Sequence, residues 1–409
     1  MLWSPQQETA LRQVNDWMKS GHEQVFHMFG YAGTGKTTMA RHLAEGVSGR
    51  VLFGAFTGKA AYVLKSKGCE GATTIHSLIY HSRDKGKKSL VEMEQQLNTL
   101  ISELAEEGLS PEKIEMNPRV RDLTKMVKAE RENMKQPFFV LNQESEVRSA
   151  KLVIIDECSM VDAKMGEDLL SFRTKVLVLG DPAQLPPVGG AGYFTKNINP
   201  QIMLDEIHRQ AQESPIIRMA TEVRNERSLK VMNYGDGCEF IDGKVDPELA
   251  LRFDQILVGK NVTRFSTNKR VRTLKGITDP YPVIDDRLVC LNNNHDTGLL
   301  NGAIYSVLNV GGIMDSKVQL DILPEGKKFA QEVMAHEQYF LGDEPSWFEK
   351  REAECFDFGY ALTVHKAQGS QWDSVLLFDE SSCFRQDRWK WLYTGITRAA
   401  EKLTVVKMP

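Results

Sequence analysis

Short runs of apolar residues recur along this chain and alternate with amphipathic stretches. The clearest runs are VFHMF at 25–29, VLFGAF at 51–56, LVIID at 152–156 and VLVLG at 176–180. Strands buried on both faces of a parallel sheet show such runs, and amphipathic helices connect them. The pattern therefore predicts an α/β domain with a parallel sheet, built from residues 1–80 and 137–204.

Residues 89–135 have a helical rather than a strand pattern. The apolar positions at helical spacing fall into two sets, separated by LSPEK: Leu90, Met93, Leu97, Ile101 and Leu104, then Val120, Leu123 and Val127. This spacing predicts an antiparallel helical hairpin, inserted in the first domain as residues 81–136. Its charged faces are either exposed to solvent or part of a binding site, and charge runs of this kind are more often solvated.

A second set of apolar runs begins near residue 201 and indicates a second α/β domain, made of residues 205–276 and 355–409. Residues 277–354 interrupt it with short strand patterns separated by turn sequences such as NNNHDTG. Closely spaced short strands of this kind predict a small all-β barrel inserted in the second domain.

Composition describes an ordinary globular chain. It has 409 residues, 26% of them charged, and a net charge of −4. This length predicts two or more domains, and the charge means that a nucleic-acid partner would need a local basic groove. The six scattered cysteines form no CxxC pair, which disfavours a zinc site or a disulfide framework. We see no signal peptide or membrane-spanning run, so we expect a cytoplasmic protein.

The first apolar run leads into a glycine-rich loop. In GYAGTGKTT, Gly30 is followed after four residues by Gly35, Lys36 and Thr37, and a helical pattern comes next. In this context the backbone N–H groups surround phosphate oxygens, the lysine reaches the β- and γ-phosphates, and the hydroxyl is placed to bind Mg²⁺. We predict a nucleoside triphosphate site formed by Gly30, Gly33, Thr34, Gly35, Lys36, Thr37 and Thr38. The alternative is a glycine-rich turn without a ligand.

Two acidic residues, Asp156 and Glu157, stand at the end of the run LVIID. A P-loop enzyme needs an acid there to hold Mg²⁺, and a second group to orient the attacking nucleophile. Asp156 fits the first role and Glu157 the second, whereas the structural alternative is an acid that caps a helix. GTPases and nucleotide kinases do not need this glutamate, so the pair favours an ATPase that activates water.

Eight motifs occur in the order found in one helicase family: YAGTGKTT, TGKAA, TIHSL, IIDECSM, GDPAQLPPV, HRQAQESPIIRMA, VHKAQGSQ and YTGITRA. Together they resemble superfamily 1 helicases, within them the RecD-like branch that includes the phage helicase Dda. The resemblance implies two RecA-like P-loop domains, an SH3-like barrel in the second, and ATP with Mg²⁺ as cofactors. It also implies movement 5′ to 3′ on single-stranded DNA and unwinding of fork DNA. We expect a monomer without a membrane partner, with a replication or recombination protein as a further partner.

The resemblance assigns further roles around the nucleotide. Gln7 matches the glutamine that reads adenine, Gln184 the γ-phosphate sensor, and Gly369 a glycine close to both nucleotide and strand. Arg209 and Arg398 match arginine fingers, which stabilise charge on the transferred phosphoryl oxygens and can contribute about 10³-fold or more in rate. Without the motifs, Gln7 would be a surface glutamine and each arginine a surface or salt-bridge residue.

The positions that match the family's DNA contacts are Thr57, Lys59, Thr74, His76, Thr363 and His365. Hydroxyl and imidazole groups can donate hydrogen bonds to phosphate oxygens. Such contacts position the protein on the strand and do not read its base sequence. His76 is as readily a packed histidine. The basic segment KNVTRFSTNKRVRTLKG adds Arg264, Lys269 and Arg272 as candidates for a single-strand channel, with a solvated helix face as the alternative.

The family separates duplex strands with a β-hairpin pin. SLIYHS and PFFVLNQ match its two strands, but the long helical hairpin separates them instead of a tight turn. Phe139 is then either an aromatic residue that stacks on a base or a core residue of the small domain. For the whole protein, the alternatives are a DNA translocase, an RNA helicase, or an ATP-switched nucleic-acid binding module that does not unwind.

Overall fold

The computed structural model describes residues 3–20, 22–82, 87–135, 139–187, 190, 192–196, 198–206, 213–243, 245–294, 297–325, 329–346 and 349–408. The chain forms two compact units, one of Met1–Ile75 with Glu146–Pro409 and one of His76–Ser145. Of the helices in these ranges, none combines the length and apolar character needed to cross a bilayer.

The helices are α1 (Pro5–Ser20), α2 (Lys36–Glu45), α3 (Gly58–Ser66), α4 (Ile75–Ile79), α5 (Lys87–Glu106), α6 (Pro111–Met116), α7 (Pro118–Lys135), α8 (Ala163–Leu170), α9 (Pro215–Arg224), α10 (Pro247–Ala250), α11 (Asn261–Leu274), α12 (Gln338–Leu341) and α13 (Arg388–Ile396). Short 3-10 turns lie at Glu146–Ser149, Cys158–Met160, Glu349–Arg351 and Ser381–Asp387.

The strands are β1 (Val25–Gly30), β2 (Val51–Ala55), β3 (Thr73–Thr74), β4 (Tyr80–Ser82), β5 (Phe139–Leu141), β6 (Leu152–Asp156), β7 (Val176–Gly180), β8 (Ile202–Leu204), β9 (Met232–Gly235), β10 (Cys238–Asp242), β11 (Gln255–Val258), β12 (Arg287–Cys290), β13 (Ile304–Met314), β14 (Lys317–Pro324), β15 (Gln331–His336), β16 (Phe356–Phe358), β17 (Ala361–Thr363), β18 (Trp372–Asp379) and β19 (Ala399–Lys407).

The first α/β domain is built on a six-stranded parallel sheet in the order β3-β2-β6-β7-β1-β8. Strand β7 is buried along its whole length and β6 along all but its last residue, because aliphatic side chains occupy both of their faces. Strands β1 and β6 end at the same edge of this sheet. That edge therefore brings the glycine-rich loop after Gly30 close to Asp156.

The second α/β domain is built on a sheet in the order β17-β11-β18-β19-β10-β9. Its first five strands are parallel, and only β9 runs antiparallel to its neighbour. Strand β11 is buried at all four positions, as the run QILV predicts. These two sheets confirm the predicted α/β architecture with parallel sheets.

An antiparallel sheet, in the order β15-β14-β13-β12-β16, interrupts the second α/β domain. Along β14, Val318, Leu320 and Ile322 are buried at alternate positions, which is the period of a strand with one apolar face. His336 N donates to Glu354 O at 3.0 Å, and this bond brings the β15 edge back to the chain entering β16. The sheet thus curls toward closure, and its SH3-like character stays a prediction.

Within the unit His76–Ser145, β4 and β5 pair antiparallel, with Tyr80 opposite Leu141. Helices α5, α6 and α7 form the connection between these strands, and an ion pair of 2.7 Å joins Arg131 of α7 to Glu94 of α5. The sequence LSPEK begins the extra helix α6, whose first turn contains Pro111. The prediction of two paired strands joined by a helical hairpin is therefore confirmed.

Candidate active site

Three glycines shape the loop between β1 and α2. Gly33 and Gly35 have φ angles of 80° and 79°, in the left-handed region that glycine adopts without strain. A Cβ added to Gly30 would lie 2.7 Å from Thr34 Oγ1 and 2.8 Å from Leu204 Cβ, so no side chain fits there. The loop has the tight turn that phosphate binding requires, and it opens directly into the N-terminus of α2.

Lys36 and Thr37 form the first turn of α2. Lys36 Nζ donates to the carbonyl oxygens of Gly30 at 2.6 Å and Tyr31 at 3.0 Å, so the ammonium lies against the loop. Thr37 Oγ1 donates to Asp156 Oδ2 at 3.1 Å. Hydroxyl and carboxylate oxygens are the hard ligands that Mg²⁺ prefers, so this pair fits the metal. The structure brings the predicted lysine and the predicted Mg²⁺ ligands together.

Glu157 follows Asp156 in a backbone conformation with φ 52° and ψ 42°, which is uncommon outside glycine. Its N–H donates to Asp156 Oδ1 at 2.9 Å. Burial raises the pKa of Glu157, while the Arg398 guanidinium opposes that rise. A carboxylate with a raised pKa binds a proton more readily, which suits the predicted role of orienting and deprotonating water.

The second α/β domain contributes Arg398 to this site. Its side chain is buried, and Nη1 donates to Ser370 O at 3.1 Å while Nε donates to Thr394 O of α13, the helix that precedes it. Its positive charge also opposes the rise that burial causes in the pKa of Asp181. Arg398 therefore lies within electrostatic reach of carboxylates of the first domain. Arg209, the other predicted finger, lies outside the described residues.

Gln184 lies beside these groups and is 6% exposed. Its N–H donates to Asp181 O at 3.1 Å, and its buried side-chain Oε1 has no hydrogen-bond partner within the described part of the chain. A buried polar atom without a partner indicates a missing donor such as water or a ligand. The side chain of Gln184 therefore fits the predicted role of a γ-phosphate sensor, and this role stays a prediction.

Gln7 and Gly369 contact the site from opposite domains. Gln7 Nε2 donates to Thr34 O at 3.0 Å and its Oε1 accepts from Ser4 N at 3.0 Å, so the side chain ties α1 to the glycine-rich loop. Gly369 has a φ of 75°, and a Cβ there would lie 2.8 Å from Ala60 Cβ of α3. Glycine allows this close approach between the domains, and adenine reading by Gln7 stays a prediction.

The hydroxyls predicted to contact DNA are used locally. Thr57 Oγ1 caps α3 by accepting from Ala60 N at 3.1 Å, and Thr363 Oγ1 accepts from Lys366 N at 3.3 Å. Thr74 is 3% exposed. A hydroxyl that accepts one hydrogen bond can still donate another, so Thr57 and Thr363 stay compatible with a phosphate contact, and the assignment stays a prediction.

Two other predicted contacts, Lys59 and His365, have partners within the same unit. Lys59 Nζ lies 3.8 Å from Glu325 Oε2, directly after β14 of the inserted sheet. The His365 ring lies 5.4 Å from the ring of Phe384, and burial lowers the pKa of His365. His365 is therefore a neutral hydrogen-bonding group at neutral pH, and both DNA-binding roles stay predictions.

The prediction that Arg264 and Arg272 line a DNA channel is wrong. Arg264 Nη1 donates to Asp357 Oδ2 at 2.5 Å, and both side chains are buried. Arg272 forms a buried ion pair with Asp286, with Nη2 3.0 Å from Oδ2. These arginines neutralise buried carboxylates where α11 meets the inserted antiparallel sheet, so their charges do not face solvent. Lys269, on the same helix, is exposed and stays a candidate.

His76 and Phe139 belong to the inserted unit. Their rings are 4.1 Å apart and nearly perpendicular, so His76 is a packed histidine. Phe139 is 47% exposed, which excludes the alternative that it is a core residue. Stacking of this partly exposed ring on a base stays a prediction.

Sequence reasoning missed two polar residues of the site, Asp181 and Tyr393. The Tyr393 hydroxyl donates to Asp181 Oδ2 at 2.7 Å, and the tyrosine and the aspartate belong to different α/β domains. Both residues stand inside quoted motifs, GDPAQLPPV and YTGITRA. A tyrosine within an apolar run and an aspartate directly after one do not by themselves indicate that they are partners.

Comparison with known proteins agrees with this geometry. A family model described as AAA domain matches residues 3–241, and one described as UvrD-like helicase C-terminal domain matches residues 358–406. An ATP-dependent RecD2 DNA helicase of Deinococcus radiodurans is 26% identical over 286 residues, which make up 61% of this chain. The match spans only 35% of the length of that helicase.

Two solved structures align with almost the whole chain. A structure of two coordinating Pif1 helicases at forked dsDNA has a TM-score of 0.55 at 16% identity, with 99% of this chain and 92% of that chain covered. Pif1 helicase from Bacteroides in complex with ADP-AlF3 and ssDNA has a TM-score of 0.53, with the same identity and coverage. At this identity the likeness concerns the fold. Because the AAA domain model matches more than half of the residues, the chain belongs to that family, and the UvrD-like helicase match and the RecD2 relative support its recognition as a RecD-like member of superfamily 1.

Proposed function

We propose that the protein is an ATP-dependent DNA helicase that moves 5′ to 3′ on single-stranded DNA and opens forks during replication, recombination or repair. The observation that carries the proposal is a nucleotide site shared by two domains: Lys36, Thr37 and Asp156 come from one, and Arg398 from the other. Hydrolysis in a shared site changes the contacts between the domains. One surface on each of the two domains binds the DNA strand, and the affinity of these surfaces for the strand alternates with each hydrolysis. The protein thereby steps along the strand.

Each residue of the site has a defined part in hydrolysis. Lys36 and the loop N–H groups bind the β- and γ-phosphates, and Thr37 with Asp156 holds Mg²⁺, which neutralises phosphate charge when bound. Glu157 orients the attacking water and takes its proton. Arg398 moves onto the transferred phosphoryl oxygens and stabilises their charge. The catalytic set is complete only when both domains contribute.

Relatives support DNA as the polymer. The Bacteroides Pif1 structure is a complex with ADP-AlF3 and ssDNA, the other structure concerns unwinding at forked dsDNA, and the Deinococcus relative is a DNA helicase. With a net charge of −4, this chain has no overall attraction for a polyanion. Binding must therefore come from local phosphate contacts, with little preference for sequence.

Single-stranded DNA is expected to raise the steady-state ATPase rate at least about tenfold, equivalent to about 1.4 kcal/mol in the barrier, because strand binding favours the closed site. The affinity for single-stranded DNA should weaken with salt. A plot of the logarithm of the binding constant against the logarithm of the salt concentration should have a slope of about −0.7 per phosphate contact. The measurement compares ATP turnover without polymer and with single-stranded DNA, single-stranded RNA and duplex DNA.

Each outcome of this comparison points to one function. Stimulation by RNA alone would favour an RNA helicase. A slow rate that no polymer changes would favour an ATP-switched binding module and would contradict the motor.

A further inference from the structure

Tyr393 joins the two α/β domains at the glycine-rich loop. It lies on α13 of the second domain, and its hydroxyl accepts from Ala32 N at 3.1 Å while donating to Asp181 Oδ2 at 2.7 Å. Ala32 is a residue of the loop itself, and Asp181 follows β7 of the first domain. A single hydroxyl therefore links the loop, the motif GDPAQLPPV and the motif YTGITRA.

Burial makes this link specific. Tyr393 is 2% and Asp181 1% exposed, so water does not compete for their hydrogen bonds. Burial raises the pKa of Tyr393, which therefore stays protonated and able to donate. The Asp181 carboxylate also accepts from Ala183 N, at 3.0 Å on Oδ1. Loss of the tyrosine hydroxyl would leave both a buried carboxylate oxygen and a loop N–H without this partner.

The arginine follows this helix, two residues beyond its last residue Ile396. Thr397 N donates to Tyr393 O at 3.0 Å, and Arg398 Nε donates to Thr394 O at 3.1 Å. The guanidinium is thus attached to the last turn of α13, a little more than one turn beyond the tyrosine. Where Tyr393 docks on the first domain fixes where the guanidinium of Arg398 lies relative to Glu157.

The second domain also contacts the neighbouring loop residue. The guanidinium of Arg224, at the end of α9, lies 3.6 Å from the centre of the Tyr31 ring. Helix α9 packs on α13 through a shared apolar core that includes Met219 and Trp391. Consecutive loop residues, Tyr31 and Ala32, are therefore both held by one packed pair of helices.

We propose that Tyr393 is a positioning residue for the arginine finger: its hydroxyl locks α13 to the loop and to Asp181, so that Arg398 reaches the transferred phosphate only when the loop is correctly formed. This inference rests on the proposed function, because it concerns the same hydrolysis. The competing account is that Tyr393 only stabilises the contact between the domains.

The test is a double-mutant cycle of Tyr393→Phe with Arg398→Ala, measured as kcat and KM for ATP at saturating single-stranded DNA. We expect Tyr393→Phe to lower kcat about tenfold in the wild-type background, to leave KM within about twofold, and to lower kcat less than about twofold in the Arg398→Ala background. The matched control is Tyr360→Phe, which removes a similar buried bond to Asp286 of 2.8 Å away from the nucleotide. The control should keep kcat within about twofold of wild type.

A second variant tests the same bond from the other side. Asp181→Asn weakens the acceptor while Tyr393 stays, and its effect on kcat should also largely disappear in the Arg398→Ala background. Thermal unfolding of every variant identifies a folding defect. If Tyr393→Phe does not fold, the kcat of Asp181→Asn in the two backgrounds tests the positioning role instead. Equal losses in both backgrounds, or an unchanged kcat, would overturn the inference. Absence of ATPase in the wild-type protein would instead refute the proposed function.

Discussion

Replacing Lys36 by alanine is expected to abolish ATP turnover, with a loss of at least about 10³-fold, or about 4 kcal/mol of transition-state stabilisation. The Lys36 ammonium lies against the loop carbonyls of Gly30 and Tyr31, where the phosphates would enter. Alanine keeps the helix, because it has the highest helix propensity, so the fold should survive. Steady-state ATPase at saturating single-stranded DNA measures the effect.

The control for this variant is Lys19→Ala, which removes an exposed lysine from the last turn of α1. It should retain wild-type turnover and wild-type unfolding temperature. Activity of Lys36→Ala within about threefold of wild type, a change of under about 0.7 kcal/mol, would refute the assignment of the loop as the phosphate site.

Replacing Glu157 by glutamine is expected to trap bound ATP. The amide has the same shape as the carboxyl, and Thr37 with Asp156 remains to hold Mg²⁺, so binding should persist. The amide does not accept a proton from water, and loss of a positioned base typically costs about 10²–10⁴-fold in rate. Binding of a fluorescent nucleotide and single-turnover hydrolysis separate the two effects.

Glu167→Gln is the matched control, because Glu167 is an exposed glutamate of α8 in the same domain. It should bind and hydrolyse ATP like the wild-type protein. If Glu157→Gln hydrolyses ATP normally, another group activates water. If it does not bind ATP, the roles of Asp156 and Glu157 are assigned in the wrong order.

Local patterns were sufficient to predict the elements that position the nucleotide. The apolar runs of β1 and β6 and the glycine spacing before Lys36 depend on neighbours a few residues away. The helical hairpin of α5 and α7 was visible for the same reason, because helical spacing is a short-range property. The structure adds that β1 and β6 end at one edge, so that Thr37 reaches Asp156 across 119 positions of sequence.

Partnerships over long sequence distances could not be predicted. Arg264 belongs to a basic segment, but its role depends on Asp357, which is 93 positions away. A charge run indicates a solvated or binding face only when no distant carboxylate neutralises it. Tyr393 and Asp181 were missed for the same reason, since a tyrosine in an apolar run gives no sign of a partner 212 positions earlier.

Strand displacement on tailed duplexes tests the central claim most directly. The substrate is a DNA duplex with a single-stranded tail on either the 5′ or the 3′ end, and release of the labelled strand is followed with ATP and Mg²⁺. We predict release from the 5′-tailed substrate only, with ATP required and with Lys36→Ala inactive, because the motor moves 5′ to 3′ and depends on the shared nucleotide site. Release only from the 3′-tailed substrate would contradict the direction, and no release from either, despite ATPase stimulated by single-stranded DNA, would contradict unwinding itself.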